Sequence, residues 1–243
     1  MGKRSARAAR SAAYESNVCT ISGNGWDPLD GNQAGKRYIR HVQPKSPNQA
    51  RLMTALREYR MVLALGPAGT GKTYLAIAAA VEALEANEVE RIVLSRPAVE
   101  AGESLGFLPG ELNEKVAPYM QPLYDALLDR LGGKRLRALL SNGGIEIAPV
   151  GFMRGRTLNR SFIVIDEGQN CTYPQLKMLL TRLGWESTMV ITGDPEQSDL
   201  LPEISGLRDI AERLETLPNI GVVRLEKSDV VRNPLVGEML TVL

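Results

Sequence analysis

The sequence is poor in the side chains that build most metal and nucleophile sites. Its 243 residues hold two cysteines, Cys19 and Cys171, and one histidine, His41. That excludes a disulfide framework and a Cys/His zinc site, and leaves little for Ser–His or Cys–His nucleophilic chemistry. Sparse cysteine fits a reducing, cytoplasmic compartment. No apolar run approaches the roughly 20 residues of a membrane span, so no membrane partner is expected. Net charge is also nearly absent, at +1. Its distribution is uneven, however: residues 1–47 carry eight Lys/Arg against three Asp/Glu, a local +5 that leaves −4 for the remainder.

With 44% hydrophobic residues, a chain of this length can bury the core of one large α/β domain. Residues 1–45 are basic, polar, studded with glycine and aperiodic, and read as a flexible N-terminal arm. The opening "MGKRSARAARSAAYES" also has the composition of an organelle transit peptide, but a basic tail is the simpler reading. Residues 46–243 form the domain. Helical spacing begins in "NQARLMTALREY" (48–59). Strands are expected at 61–65, 91–95, 145–148, 161–165, 188–192 and 220–225, and further helices at 71–86, 111–130, 173–183, 203–215 and 234–242. Short, continuously apolar strands alternating with helices imply a mostly parallel sheet covered on both faces.

"VLALGPAGTGKTYLA" (62–76) carries the clearest chemistry. Gly66, Pro67, Ala68, Gly69, Thr70, Gly71, Lys72 and Thr73 spell G-x-x-x-x-G-K-T between an apolar strand and an alanine-rich helix. Glycines let backbone N–H groups turn inward around phosphate oxygens, and the helix directs its positive end at them. Lys72 is positioned for the outer phosphates of a nucleotide such as ATP, and the Thr73 hydroxyl for Mg²⁺. A second metal ligand is expected at the end of a buried strand, which "FIVIDEGQN" supplies as Asp166. Glu167 beside it is the candidate to orient and deprotonate an attacking water. The bland alternative makes both carboxylates caps of the helix near Thr172. A third strand ends in "VITGDPEQSDL", placing Thr192, Asp194 and Gln197 at the carboxyl edge of the sheet, near a γ-phosphate or its attacking water. Gly-Asp-Pro also makes a turn unaided. "EKSD" (226–229) resembles a guanine-reading motif but has Glu226 where Asn or Thr belongs, and Gln169 stands where a GTPase switch needs glycine.

From about Asn48 onward the chain resembles the PhoH family, whose P-loop core is similar to the first motor domain of superfamily-one helicases. The motifs keep their order: "NQ" (48–49), "GPAGTGKTYLA", "SRPAVEAGESLGFLPG", "FMRGRT", "FIVIDEGQN", "TGDPEQSDL", "SGL" (205–207) and "DVVRNPLV". Gly168 stands where the family usually has Ala, and Asn233 where it usually has His. The resemblance implies a RecA-like P-loop fold that binds and hydrolyses ATP, with Gln49 reading adenine through its amide. It implies phosphate contacts to RNA or single-stranded nucleic acid from Arg96, Arg154 and Arg156. It makes Arg232 a candidate arginine finger. With the sequence ending at Leu243, the expectation is that a C-terminal fold-back or a neighbouring subunit completes the site. The second case gives a homo-oligomer, by resemblance a hexameric ring.

Two other activities use the same loop. A nucleotide or small-molecule kinase needs an arginine-rich lid, for which "DRLGGKRLRALL" (129–140) is the candidate. A slow ATP-dependent assembly switch hydrolyses without moving a strand.

Overall fold

The computed structural model describes residues 41–97, 112–200 and 204–231, with only the helical backbone for 112–118. Residues 1–40 of the arm, the expected helix at 234–242 and Arg232 lie outside them.

Ser46 starts α1 (Pro47–Glu58) by accepting a hydrogen bond from Gln49 N, with proline in the first turn where no N–H is needed. Then follow β1 (Met61–Leu65), α2 (Lys72–Glu85), β2 (Arg91–Arg96), α3 (Leu112–Ser141), β3 (Ile145–Pro149), β4 (Ser161–Ile165), α4 (Tyr173–Leu180), β5 (Thr188–Gly193), α5 (Leu207–Glu215) and β6 (Gly221–Arg224). The strands make one parallel sheet in the order β3-β2-β4-β5-β1-β6. β5 is therefore inserted between the phosphate-loop strand β1 and the aspartate strand β4. This is the RecA-like arrangement that the resemblance implied.

The period-2 rule of strands divides the core between two faces. Val62, Ala64, Ile92, Leu94, Phe162, Val164 and Val190 meet α1, α2 and α3 on one side. Leu63, Leu65, Val93, Ile163, Ile165, Met189 and Ile191 meet α4 and α5 on the other. Because both faces are covered, β1, β4 and β5 are buried along their whole length, which is why they read as unbroken apolar runs.

The structure differs from expectation in three places. The helix expected over 111–130 breaks at Gly132, whose φ 71° and ψ 156° are not helical, and a second helical segment that was not expected runs on to Ser141. Nor is 129–140 a lid: Leu131, Leu136 and Leu139 lie in the core, and buried Arg130 faces Glu82. The helix expected from 203 starts at Leu207. Gly206 lies so close to Tyr173 that a Cβ would sit 2.4 Å from its Cα.

Candidate active site

The phosphate loop leaves β1 at Gly66, whose φ is 135°. A Cβ there would meet the Leu225 carbonyl oxygen at 2.2 Å, so only glycine lets the loop pass β6. Gly69 and Gly71 also have positive φ, 82° and 84°. Gly71 is the N-cap of α2, and a Cβ on it would press against the Gln49 amide at 3.3 Å. Gly66 N donates to Gly193 O of β5 at 3.1 Å, and Val231 N donates to Gly69 O at 2.9 Å. The chain is thus tied to the loop as far as Val231.

Lys72 is buried. Its ammonium donates to the loop's own carbonyls, Gly66 O at 2.5 Å and Pro67 O at 2.8 Å. Burial pushes it below the ordinary lysine value, while the charges of Asp194, Glu167 and Asp166 pull the other way. Thr73 and Thr192 both donate to Asp166 Oδ1, at 2.5 and 2.7 Å. Asp166 is itself buried at the end of β4, its N–H donating to Ser95 O of β2. Residues from β1, β4 and β5 therefore converge, as expected for strands whose carboxyl ends form one edge. Ala68, Gly69, Gly71, Lys72, Thr73, Asp166, Glu167, Asp194 and Gln197 line a cavity of about 270 Å³. A larger groove of about 830 Å³ adjoins it, lined by Gly66 and Pro67 and sharing Asp194 and Gln197.

Glu167 adopts the left-handed conformation, φ 54° and ψ 44°. For a non-glycine residue this costs on the order of 1–3 kcal/mol and needs support from its surroundings. The support comes from two donors, Arg96 Nη2 to Oε1 at 3.1 Å and Gln169 Nε2 to Oε2 at 2.5 Å. Neither carboxylate caps a helix: Thr172 caps α4, in a reciprocal box with Gln175. Asp194 does form its turn, accepting from Glu196 N at 3.0 Å and, through its carbonyl, from Gln197 N at 3.1 Å. It is nonetheless buried and faces the cavity, so turn and site coincide.

Other expected site residues sit differently. The Gln49 amide is spent on the protein: its oxygen accepts from Lys45 N at 2.7 Å and its nitrogen donates to Thr70 O at 3.0 Å. In this state it holds the loop. Arg96 points at the carboxylates, with its Nε 4.0 Å from Asp166 Oδ2 and its Nη1 donating to Tyr119 O. Arg156 makes a two-bond ion pair with Glu146, at 2.5 and 2.7 Å. Arg154 is exposed, just past the 3₁₀ turn Val150–Met153 that follows β3. The guanine-like "EKSD" is structural. Burial pushes Asp229 upward, but the backbone of Glu226, Ser46, Asn48 and the charge of Arg51 bring it below its ordinary value. Its Oδ2 accepts from Glu226 N and Asn48 Nδ2.

One residue of the site escaped sequence reasoning. Buried Gln169 donates to Glu167 and accepts from Asp194 N at 3.0 Å, joining the exits of β4 and β5. The weak "SGL" motif serves the same turn. Ser205 donates to Gln169 O at 2.8 Å, Gly206 permits the approach to Tyr173, and Leu207 packs where Gly168 and Gly193 leave no room for a Cβ.

The oxygen donors Thr73, Asp166 and Thr192 suit a hard cation such as Mg²⁺, and the loop's inward backbone suits phosphates. Among the described residues no cluster of three or more His, Cys, Asp or Glu is placed to hold a metal. No helix there is long and apolar enough to cross a membrane.

Comparison with known proteins places the chain in a family. The family model described as PhoH-like protein matches residues 41–243. A PhoH-like protein of Mycobacterium tuberculosis (strain ATCC 25618 / H37Rv) is 53% identical over 200 residues, covering 82% of this chain and 57% of that one. Protein PhoH of Escherichia coli (strain K12) is 39% identical over 236 residues, covering 96% of this chain and 66% of that one. This chain thus spans about three fifths of the length of these relatives. Among solved structures, the SWI2/SNF2 ATPase core of Sulfolobus solfataricus in complex with dsDNA aligns at 18% identity and a TM-score of 0.45, over 80% of this chain and 47% of that one. With the family match running from His41 to Leu243 and the phosphate-loop site intact within it, the chain belongs to the PhoH-like proteins.

Proposed function

We propose that this protein is a Mg²⁺-dependent ATPase that acts on RNA or single-stranded nucleic acid and works as a ring-shaped homo-oligomer. The observation that carries the ATPase reading is the convergence of Lys72, Thr73, Asp166 and Glu167, from the start of α2 and the end of β4, in one cavity beside the phosphate loop.

ATP binds with its phosphates against the loop's backbone N–H groups at the start of α2. Lys72, held by loop carbonyls in the free protein, turns to the outer phosphates and offsets the charge that develops on them. Thr73 and Asp166 hold Mg²⁺, which supplies charge neutralisation and alignment of the phosphate oxygens. Glu167 orients a water and accepts its proton as the oxygen attacks the γ-phosphorus and the bond to the leaving ADP breaks. Asp194 and Gln197 face the same cavity from the exit of β5, where they report phosphate loss to the segment that follows. The strand is contacted by Arg154 and by the basic arm, which adds attraction independent of sequence. Arg232 acts as a finger, supplied by a neighbouring subunit in the ring. The reducing, cytoplasmic setting read from the cysteine usage completes this picture.

The test is ATP turnover with and without RNA, single-stranded DNA and small phosphate acceptors, alongside Lys72→Ala and a measurement of assembly size with ATP bound. Turnover that needs Lys72 and rises with a strand supports the reading. Phosphate transfer to an acceptor makes the protein a kinase, and Lys72-independent turnover removes the phosphate-loop assignment.

A further inference from the structure

We infer that Arg96 is a latch on the catalytic carboxylate, which a phosphate of a bound nucleic-acid strand opens. The inference rests on the ATPase reading above and adds how the strand would control it.

In the nucleotide-free protein both Glu167 oxygens are taken, Oε1 by Arg96 and Oε2 by Gln169. The two donors differ in kind. Gln169 is buried, neutral and fixed at its other end by Asp194 N, so it orients the carboxylate without neutralising it. Arg96 carries a full charge, keeps 21% of its side chain exposed, and also lies within 4.0 Å of Asp166. With Arg96 in place, the negative charge of Glu167 is directed at a guanidinium rather than at a water.

The position of Arg96 favours a strand over ATP as its competing anion. β2 stands three strands from β1, about 14 Å across the sheet. The carboxylates lie between Arg96 and the loop. They line the nucleotide cavity and Arg96 does not. Nucleotide phosphates approaching from the loop therefore meet Lys72, Thr73 and the carboxylates first. From the opposite side Arg96 borders β3, where its register partner Pro149 leads through a 3₁₀ turn to exposed Arg154. Arg96 and Arg154 thus lie at and beyond the carboxyl ends of neighbouring strands, and a guanidinium pairs with phosphate in the same two-pronged manner as with carboxylate. Once Arg96 has turned to the strand, Glu167 keeps only Gln169 and is free to work on water. Coupling of this kind is reciprocal, so neutralising Glu167 must release Arg96 to the strand.

Two measurements decide the matter, with a mixed-sequence single-stranded oligonucleotide, RNA or DNA, as probe. In ATP turnover, the oligonucleotide should raise wild-type kcat by roughly 5–150-fold, the usual range of coupling between two sites, with KM for ATP little changed. Arg96→Ala should turn over fast without the oligonucleotide and respond to it by less than about twofold, and Arg96→Lys should restore part of the response. In nucleotide-free binding, followed by fluorescence anisotropy, Glu167→Gln should hold the oligonucleotide more tightly than wild type, within the same range. The double variant Glu167→Gln/Arg96→Ala should lose that gain. Full stimulation in Arg96→Ala, equal loss of basal and stimulated turnover in it, or unchanged affinity in Glu167→Gln would each overturn the latch. Lys72-dependent turnover indifferent to any strand removes the latch and leaves the ATPase standing. Absence of Lys72-dependent turnover removes the ATPase, and the binding measurement then judges the Arg96–Glu167 linkage by itself.

Discussion

Thr192→Val isolates the contribution of a single hydroxyl to the Asp166 carboxylate. Thr192 is fully buried on β5, and its Oγ1 donates to Asp166 Oδ1 at 2.7 Å. Valine preserves the β-branched shape and strand preference and deletes only the donor. Asp166 then keeps Thr73 on the same oxygen, with Arg96 at 4.0 Å from the other. A hydrogen bond to a charged group contributes about 1.5–3 kcal/mol. With a urea m-value near 2 kcal/mol/M, the unfolding midpoint should fall by about 0.8–1.5 M at unchanged m. For a domain of this size the melting temperature should fall by about 3–12 °C. Because Thr73 and Thr192 serve the same oxygen, Thr73→Val and Thr192→Val should be non-additive, with a coupling of about 0.5–3 kcal/mol in the nucleotide-free protein. ATP turnover should drop with stability, since Asp166 loses one of the two hydroxyls that hold it. A stability change below about 0.5 kcal/mol, the size of an ordinary surface substitution, would refute the claim that β5 holds the aspartate.

Other perturbations probe separate parts of the site. Glu167→Gln keeps shape and leaves Thr73 and Asp166 untouched, so ATP binding should persist while turnover falls by roughly a hundredfold or more, read by nucleotide affinity beside steady-state rate. Gly66→Ala sets a Cβ 2.2 Å from Leu225 O at φ 135°, and should destabilise by more than about 1 kcal/mol in urea unfolding, with nucleotide affinity falling too. Burial pushes the Cys171 thiol up to about 12 from 9.0, so the unfolded chain gives up that proton first. Its share of stability is complete below pH 9 and is lost as pH rises towards 12, at up to about 1.4 kcal/mol per unit. Cys171→Ala should flatten that slope in alkaline unfolding curves. Deleting residues 1–40 should lower the salt dependence of strand binding by roughly 0.7 in log–log slope for each phosphate that the arm neutralises, with basal turnover retained.

The fold was legible where one residue type at one spacing has one physical solution. A run such as Phe162–Ile165 is apolar at every position because both faces of β4 are covered, and that reads directly as a central parallel strand. The phosphate loop was legible because Gly66, Gly69 and Gly71 need positive φ and Lys72 must follow them. Asp166 and Glu167 were legible from their place at a strand end. Gly132 marked the end of one helix, but the second helical segment beyond it, whose Leu136 and Leu139 are buried, was not read from the sequence because its spacing follows a glycine pair that reads as a turn.

The side-chain partners within the site were not legible, because they depend on sheet order, a long-range property that local spacing does not carry. Only the insertion of β5 between β1 and β4 brings Thr192 to Asp166 and Asp194 to Gln169. Only the pairing of β2 with β4 turns Arg96 towards Glu167, and only the closeness of β3 to the turn after it lets Glu146 take Arg156. The sequence by itself determined which residues can bind phosphate, hold a metal or accept a proton, since that capacity lies in their functional groups and local backbone. The tertiary structure decided which groups face one another, because a hydrogen bond acts over about 3 Å and its partners here lie up to 181 residues apart along the chain.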